Sequence, residues 1–205
     1  LNFKNNQLSF NNNAPNTVQD KLNPNNLDFS EIAFKAKTVS YAPQKVSLKV
    51  RELSFKEKSG LHLNQLALNG TLNENELRVT NLVAETSRSS LNGTATLNYE
   101  SIQSLIDSPE NILVDLNLPF FAFDISDLHV FQPSLANNKI VKNISKDPFK
   151  GQLFAKGTLD KITLTHTAVN WGSQTSLSLA GTVFNSTYLD SLRVDFNSII
   201  ATTGQ

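Results

Sequence analysis

The chain has 205 residues, 39% of them hydrophobic and 18% charged, with 18 basic and 18 acidic side chains and a formal net charge of zero. That length supports one large domain or two small ones, and the even charge offers nothing to draw the chain to nucleic acid or anionic headgroups. No run approaches the roughly 18 apolar residues of a membrane helix, and zero Cys excludes disulfides and thiolate metal sites.

Strand signals dominate the first half. Residues 1–10 (LNFKNNQLSF) predict a hairpin around Asn5-Asn6, and the Asn/Pro-rich stretch 11–26, which has no periodicity, predicts a long loop. Ile32, Phe34, Ala36 and Thr38 alternate with charged neighbours, so 29–41 reads as a half-buried strand ended by Pro43. Val46, Leu48 and Val50 share one face, whereas Leu53 and Phe55 are out of phase with them; the slip at Arg51-Glu52 predicts a bulge or break. Gly60 marks a turn, and strands follow at 61–72, around Leu77 and Val79, and over 91–99.

The pattern then changes. SIQSLID opens on Ser101 and stops before Pro109, which predicts one short helix. Residues 112–123 read as a strand whose internal Pro119 places it at an edge or breaks it. DISDLHVFQPSL has Asp124 and Asp127 as cap candidates and predicts a short helix, while NNKIVKNISKDP reads as a polar, mobile link. Strands at 149–159, 161–169, 174–184 and 189–200 complete an all-β chain of about a dozen short strands.

Four of the eight glycines stand in one word: Gly70-Thr71, Gly93-Thr94, Gly157-Thr158 and Gly181-Thr182, spaced 23 and 24 residues within each pair. A fixed period of this size marks a repeat architecture, in which each unit buries its apolar face only against neighbours. Residues 61–99 and 148–186 are therefore expected to match in strand count and buried face. The expected organisation is a strand or hairpin plus loop over 1–28, a first β-repeat unit over 29–100, a short-helix linker with one strand over 101–148, and a second unit over 149–205. Periodicity alone does not separate an open trough from a closed sandwich.

Catalytic constellations are weak. His62, His129 and His166 lie in three different elements. Asp124, Asp127 and His129 make a metal cluster on paper, but on a helical turn the His points away, and capping is the better reading of the two Asp residues. No nucleophile elbow, phosphate loop or dinucleotide fingerprint occurs. The N-x-S/T triplets at Asn69, Asn92, Asn143 and Asn185 arise readily by chance in so Asn-, Ser- and Thr-rich a chain. Phe120, Phe121, Phe123 and Phe131 with the lone Trp171 read as core plugs rather than a stacking platform. Phe120 and Phe121, being adjacent, face opposite sides, so one needs a cover, a partner or a ligand. Phe120 or Phe123, with Phe131 and Leu135, is expected to pack a short helix over one mouth of the sheet.

The stretch SFKEKSGLHLNQLALNGTLNENELRVTNLVAETSRSSLNGTATLNYES resembles the repeating core of TamB-like proteins of the AsmA-like superfamily, as found in Bacteroidota. The matching features are Ser54-Phe55-Lys56-Glu57 leading into Ser59-Gly60-Leu61, Leu82 before Glu85-Thr86, and Ser89-Ser90-Leu91. Phe123-Asp124 through Asp127-Leu128, Phe131 and Pro133 resemble the short helical element between repeats, and Gly151 to Gly157 restart the strands. The resemblance covers about residues 45–200 at the level of pattern and leaves 11–26 unmatched. It implies an elongated antiparallel β-repeat (a β-taco or open, sandwich-like trough) with one or two short helices between repeats. It also implies a long periplasmic protein, anchored in the inner membrane by an N-terminal helix outside this stretch. Such a protein acts in outer-membrane biogenesis, through phospholipid transport or outer-membrane protein assembly.

The expected role is that of a non-enzymatic segment with no cofactor, metal or nucleic-acid partner. Its inner face would carry phospholipid acyl chains on Leu77, Val79, Leu91, Ala95, Leu97, Leu164, Leu177, Leu179, Leu192, Val194 and Phe196, with outer-membrane assembly proteins met through other parts of the chain. A continuous apolar trough needs no specific polar contact, since each CH₂ removed from water gains about 0.8 kcal/mol. The alternative is an Asn/Thr-rich β-sandwich of adhesin-like or carbohydrate-binding type.

Overall fold

The computed structural model describes residues 1–12, 22–23, 25–42 and 44–203; most of the long loop expected at 11–26 lies outside them. Eleven strands form one antiparallel sheet in which every strand pairs with its chain neighbours and with no other. They are β1 (Asn2–Asn11), β2 (Asn26–Ala42), β3 (Lys45–Glu57), β4 (His62–Asn73), β5 (Glu76–Thr86), β6 (Ser90–Asn98), β7 (Leu113–Phe123), β8 (Phe149–Thr158), β9 (Lys161–Trp171), β10 (Thr175–Phe184) and β11 (Arg193–Thr203). Short helices α1 (Ser104–Asp107) and α2 (Lys139–Ile144) and a few 3₁₀ turns occupy the connections on either side of β7 and before β11. The sandwich alternative is not formed: there is one sheet, and strands that are not chain neighbours share no extensive contact.

The register collects the apolar residues on one face. Paired residues in an antiparallel ladder share a face, and the chain of partners Ala84, Leu91, Phe121, Gly151, Val169, Leu177 and Ala201 crosses seven strands. Holding that face constant along a strand should require strict alternation, yet every odd-numbered strand breaks it once. In β5, Leu77 and Val79 precede Leu82 and Ala84, and Asn81 is inserted between the pairs Val79↔Ala95 and Leu82↔Gly93. The same one-residue slip falls at Asn5 in β1, Arg51 in β3, Pro119 in β7, His166 in β9 and Asn197 in β11. Each extra residue is a β-bulge, which bends its strand and lets both apolar halves look the same way. Asn5, Asn81 and His166 hold φ of 56°, 51° and 49°, left-handed values that Asn and His tolerate better than most side chains.

Most of these bulges lie at one level across the sheet, so they crease it along a line perpendicular to the strands. The inner face is deepest at that line. Val50, Leu118, Thr167 and Gly181 are buried there, although no second sheet covers them. The outcome is a trough whose floor is the crease, whose rims are the strand ends, and whose two open ends are β1 and β11. Eleven strands make it roughly 48 Å long at about 4.8 Å per spacing.

Three glycines make the crease possible. Gly93, Gly151 and Gly181 sit on even strands, beside the bulge of the strand that follows. A Cβ on Gly93 would collide with the Asn117 carbonyl, one on Gly151 with the Ala168 carbonyl, and one on Gly181 would lie 2.5 Å from the Asp195 carbonyl. Gly70 has no such contact: its nearest neighbours are the Leu68 side chain at 3.4 Å and the Leu48 carbonyl at 3.9 Å. Residues 61–99 and 148–186 each hold three strands, and all four Gly-Thr glycines lie on the inner face. Gly93 and Gly181 flank the crease, whereas Gly70 and Gly157 lie towards turns. The expected limits at 100/101 and 148/149 fall in connections and 28/29 falls within β2, and the same sheet runs across all three.

Several expectations are corrected. Residues 1–10 are one strand, because the left-handed Asn5 makes a bulge rather than a turn. Pro119 neither ends β7 nor puts it at an edge; β7 is a central strand, and the bulge leaves residue 119 without a ladder partner, so its missing N–H costs nothing there. The stretch around residue 140 is helical: the Asn138 side chain accepts the Ile140 and Val141 N–H groups at 2.9 and 3.2 Å and starts α2. Phe131 does not plug the trough. Its ring is 47% exposed, and polar contacts fasten this segment to the rim. Asp127 Oδ2 accepts the Thr86 and Ser89 hydroxyls at 2.6 and 2.5 Å, and Trp171 Nε1 donates to the Ile144 carbonyl at 2.9 Å. On the opposite rim the Tyr99 hydroxyl donates to the Asn73 carbonyl at 2.9 Å and Ile112 accepts the Leu159 N–H at 2.9 Å.

Alanine at a glycine that faces a backbone carbonyl and at one that does not should behave differently. Gly93→Ala and Gly181→Ala press a methyl on backbone that cannot move alone, and each should lower stability by about 1–3 kcal/mol or more, as overpacking does. Gly70→Ala should be neutral or stabilising by up to about 1 kcal/mol, from lost freedom in the unfolded chain. Urea denaturation of the three variants measures the difference.

Candidate functional site

A lone sheet of this kind leaves its inner face without a covering layer. The accessible surface is 13064 Å², against about 9,500 Å² for a compact monomer of this mass. Among the described residues the only buried hydrophobic ones are Ala36, Val50, Tyr99, Ile112, Leu118 and Ala155, and no side chain falls below 2% exposure. The apolar side chains of the trough are half-buried by curvature rather than sealed in a core. The large exposed apolar surface that results is characteristic of binding surfaces rather than of ordinary monomer exteriors.

Ten of the eleven trough residues named from sequence lie on this face. Leu77, Val79, Leu91, Ala95 and Leu97 line β5 and β6 through the pairs Leu77↔Leu97, Val79↔Ala95 and Ala84↔Leu91. Leu164, Leu177, Leu179, Val194 and Phe196 line β9 to β11 through Gly181↔Leu164, Leu179↔Ile199, Gly181↔Phe196 and Val183↔Val194. Leu192 is the exception. The Ser191 N–H bonds back to the Tyr188 carbonyl, and Asn185 Nδ2 donates to the Ser191 carbonyl at 3.0 Å. The turn so formed delays β11 until Arg193 meets Phe184, and Leu192 is left 46% exposed outside the ladder.

Sequence reasoning stopped short of most of the groove. Phe3, Leu8 and Phe10 of β1, Phe29, Phe34 and Ala36 of β2, and Val50, Leu53 and Phe55 of β3 continue the same face to one end. Leu116, Leu118, Phe121 and Leu153 fill its centre. There a depression of about 260 Å³ is lined by Ala84, Leu91, Leu118, Phe121, Phe123 and Leu153, with Thr86, Ser89 and Ser90 towards the rim. The signal that finds them is the one-residue slip in each odd strand, most legible at Arg51-Glu52.

Polar groups on the inner face are few. Thr167, on the floor, is 4% exposed, and its hydroxyl meets no partner among the described residues. Glu57, on the rim at the end of β3, is 2% exposed and serves as a clasp. Its carboxylate accepts the Asp28 N–H at 3.1 Å, the Ser59 N–H at 2.7 Å and the Ser59 hydroxyl. Burial pushes this carboxyl upwards, but the Ser59 hydroxyl, the two N–H donors and Lys58 outweigh it and hold the pKa below the usual carboxylate value. Asp124, Asp127 and His129 do not converge. Asp124 caps the 3₁₀ turn at Ile125–Val130 by accepting the Ser126 N–H at 2.8 Å, and Asp127 is occupied by Thr86 and Ser89. No set of three His, Cys, Asp or Glu among the described residues is placed to hold a metal ion.

Fold and groove together define an open, creased β-sheet with an apolar channel along its inner face. No protein-family model, curated protein or solved structure matches the chain.

The Glu57 clasp carries a pH dependence. A carboxylate with a lowered folded-state pKa contributes stability above its unfolded value, and that contribution is lost as pH falls through the folded value. Glu57→Gln should cost about 1–3 kcal/mol at neutral pH, from donors left poorly matched. It should also flatten the loss of stability below about pH 4.5. Melting curves between neutral and acid pH compare the two proteins.

Proposed function

We propose that the trough holds acyl chains, and that the chain is a non-enzymatic segment of a longer envelope protein which passes phospholipid along it. The observation that carries this is the continuity of the apolar face from β1 to β11, unbroken at every strand pair. A binding pocket for one small ligand would be closed at its ends; a stretch of conduit needs no caps. Aliphatic and Phe side chains make up most of the wall, so a hydrocarbon chain can lie at many positions with nearly equal energy. Movement along the channel then crosses no deep trap.

The resemblance to TamB-like proteins of the AsmA-like superfamily supports placing this activity in the periplasm, in outer-membrane biogenesis. The parent would be anchored in the inner membrane, and outer-membrane assembly proteins would be met by other parts of it. A protein cargo is the second reading, favoured by the ladder edges of β1 and β11, which pair with no further strand among the described residues and can accept an extended segment.

The test is photocrosslinking in cells from a diazirine residue at Leu97 or Leu179, with Arg193 on the outer face as the comparison. Phospholipid adducts at the two inner positions and not at Arg193 are expected. Equal or greater labelling at Arg193 would overturn the proposal, and peptide adducts along the groove would favour the second reading. Leu179→Asp should abolish the lipid adduct at Leu97 in protein that still folds, because a charge in an apolar channel stays unpaired. Leu179→Val should leave it nearly unchanged.

A further inference from the structure

The outer face of the crease carries a second feature, made of different chemistry. Where β5, β6 and β7 bend, a depression of about 360 Å³ is lined by Asn81, Asn92, Thr94 and Asn117, with Val83 and Pro119 beside them. Ladder partners continue it sideways. Asn92 stands opposite Phe120, and Asn117 stands opposite Phe154 of β8. Phe120 is 43% exposed. The side-chain amides of Asn81, Asn92 and Asn117 have no hydrogen-bond partner among the described residues. No charged side chain lines the depression; two residues beyond Asn117 and Phe154 on the same face, Lys156 and Asp115 are paired with each other at 2.9 Å.

Unpaired amides interleaved with aromatic rings over two neighbouring rungs of a rigid sheet suit a particular class of ligand. A carboxamide presents one acceptor and two donors side by side, which matches a pair of neighbouring hydroxyls. A Phe ring offers a flat apolar face for C–H groups. Nucleic acid is disfavoured by the lack of cations. An extended peptide is disfavoured because β5 to β8 are central strands whose backbone groups are already paired, so no edge is open for strand addition. We propose that this outer track, Asn81–Asn92–Phe120–Asn117–Phe154, binds a neutral, linear oligosaccharide laid across the strands, independently of whatever occupies the trough. The track spans three strand spacings, roughly 14 Å.

The experiment titrates the full 205-residue chain with maltohexaose, cellohexaose and chitohexaose in the millimolar range, following calorimetric heat and the amide resonances of Asn92, Asn117 and Phe120. At least one saccharide should bind and shift those resonances. Phe120→Ala should weaken it about tenfold and Asn117→Ala about fivefold. Phe131→Ala, exposed on the far segment, should leave binding unchanged. Circular dichroism confirms that each variant is folded, and Phe120→Tyr, which keeps the ring, should bind within about twofold of the parent. Absence of binding by all three saccharides overturns the proposal. So does binding that the Asn92→Ala/Asn117→Ala double variant retains in full.

Discussion

The whole architecture depends on one constraint: the two apolar halves of each odd strand are out of phase by one residue, so they share a face only where an extra residue bulges out between them. Alternation has a period of two, so without the bulge half of each odd strand's Leu, Val and Phe residues would turn to the outside. The extra residues at Asn5, Arg51, Asn81, Pro119, His166 and Asn197 solve this on every odd strand. The even strands at the centre supply the complement, glycines placed where the bulging backbone comes closest. From β5 onward the working repeat is therefore a two-strand hairpin, one strand with a bulge and one able to receive it, whereas β2 and β4 also carry extra residues of their own.

Such a sheet is stabilised differently from a sandwich. Its ladder satisfies the backbone, and curvature hides part of each inner side chain, but the sheet has no second layer to exclude water fully. A protein that retains this much uncovered apolar surface forgoes the burial that a closing sheet would add at about 25 cal/mol per Å². The rims offset some of that with specific polar fastenings: Glu57 with Ser59 and Asp28, Asp127 with Thr86 and Ser89, Trp171 with Ile144, and Tyr99 with Asn73. These hold the strand ends and leave the floor clear.

The two faces of the crease then have opposite chemistry for one geometric reason. On the inside, converging walls crowd aliphatic side chains around Val50 and Leu118. On the outside, diverging strands spread Asn81, Asn92 and Asn117 around an open, uncharged depression. Asn serves both needs, because it tolerates the left-handed backbone of a bulge and presents a polar group to solvent.

By itself the sequence determined the class and the parts of the groove on β5, β6 and β9 to β11. Alternation gave an all-β chain, and the aliphatic positions from Leu77 to Phe196 fell on one face because the period of a strand fixes which side chains share a side. The slip at Arg51-Glu52 was legible as a bulge for the same reason. Only the tertiary structure decided that the equivalent slips on five other strands line up into one crease, since alignment depends on register between strands far apart in the chain. It also decided that Pro119 lies in a central strand, that Leu192 is held out of the ladder by the turn at Asn185, and that the sheet stays open. Local pattern cannot carry that last fact, because a strand facing an open trough and a strand facing a closed core bury the same residues on the same side.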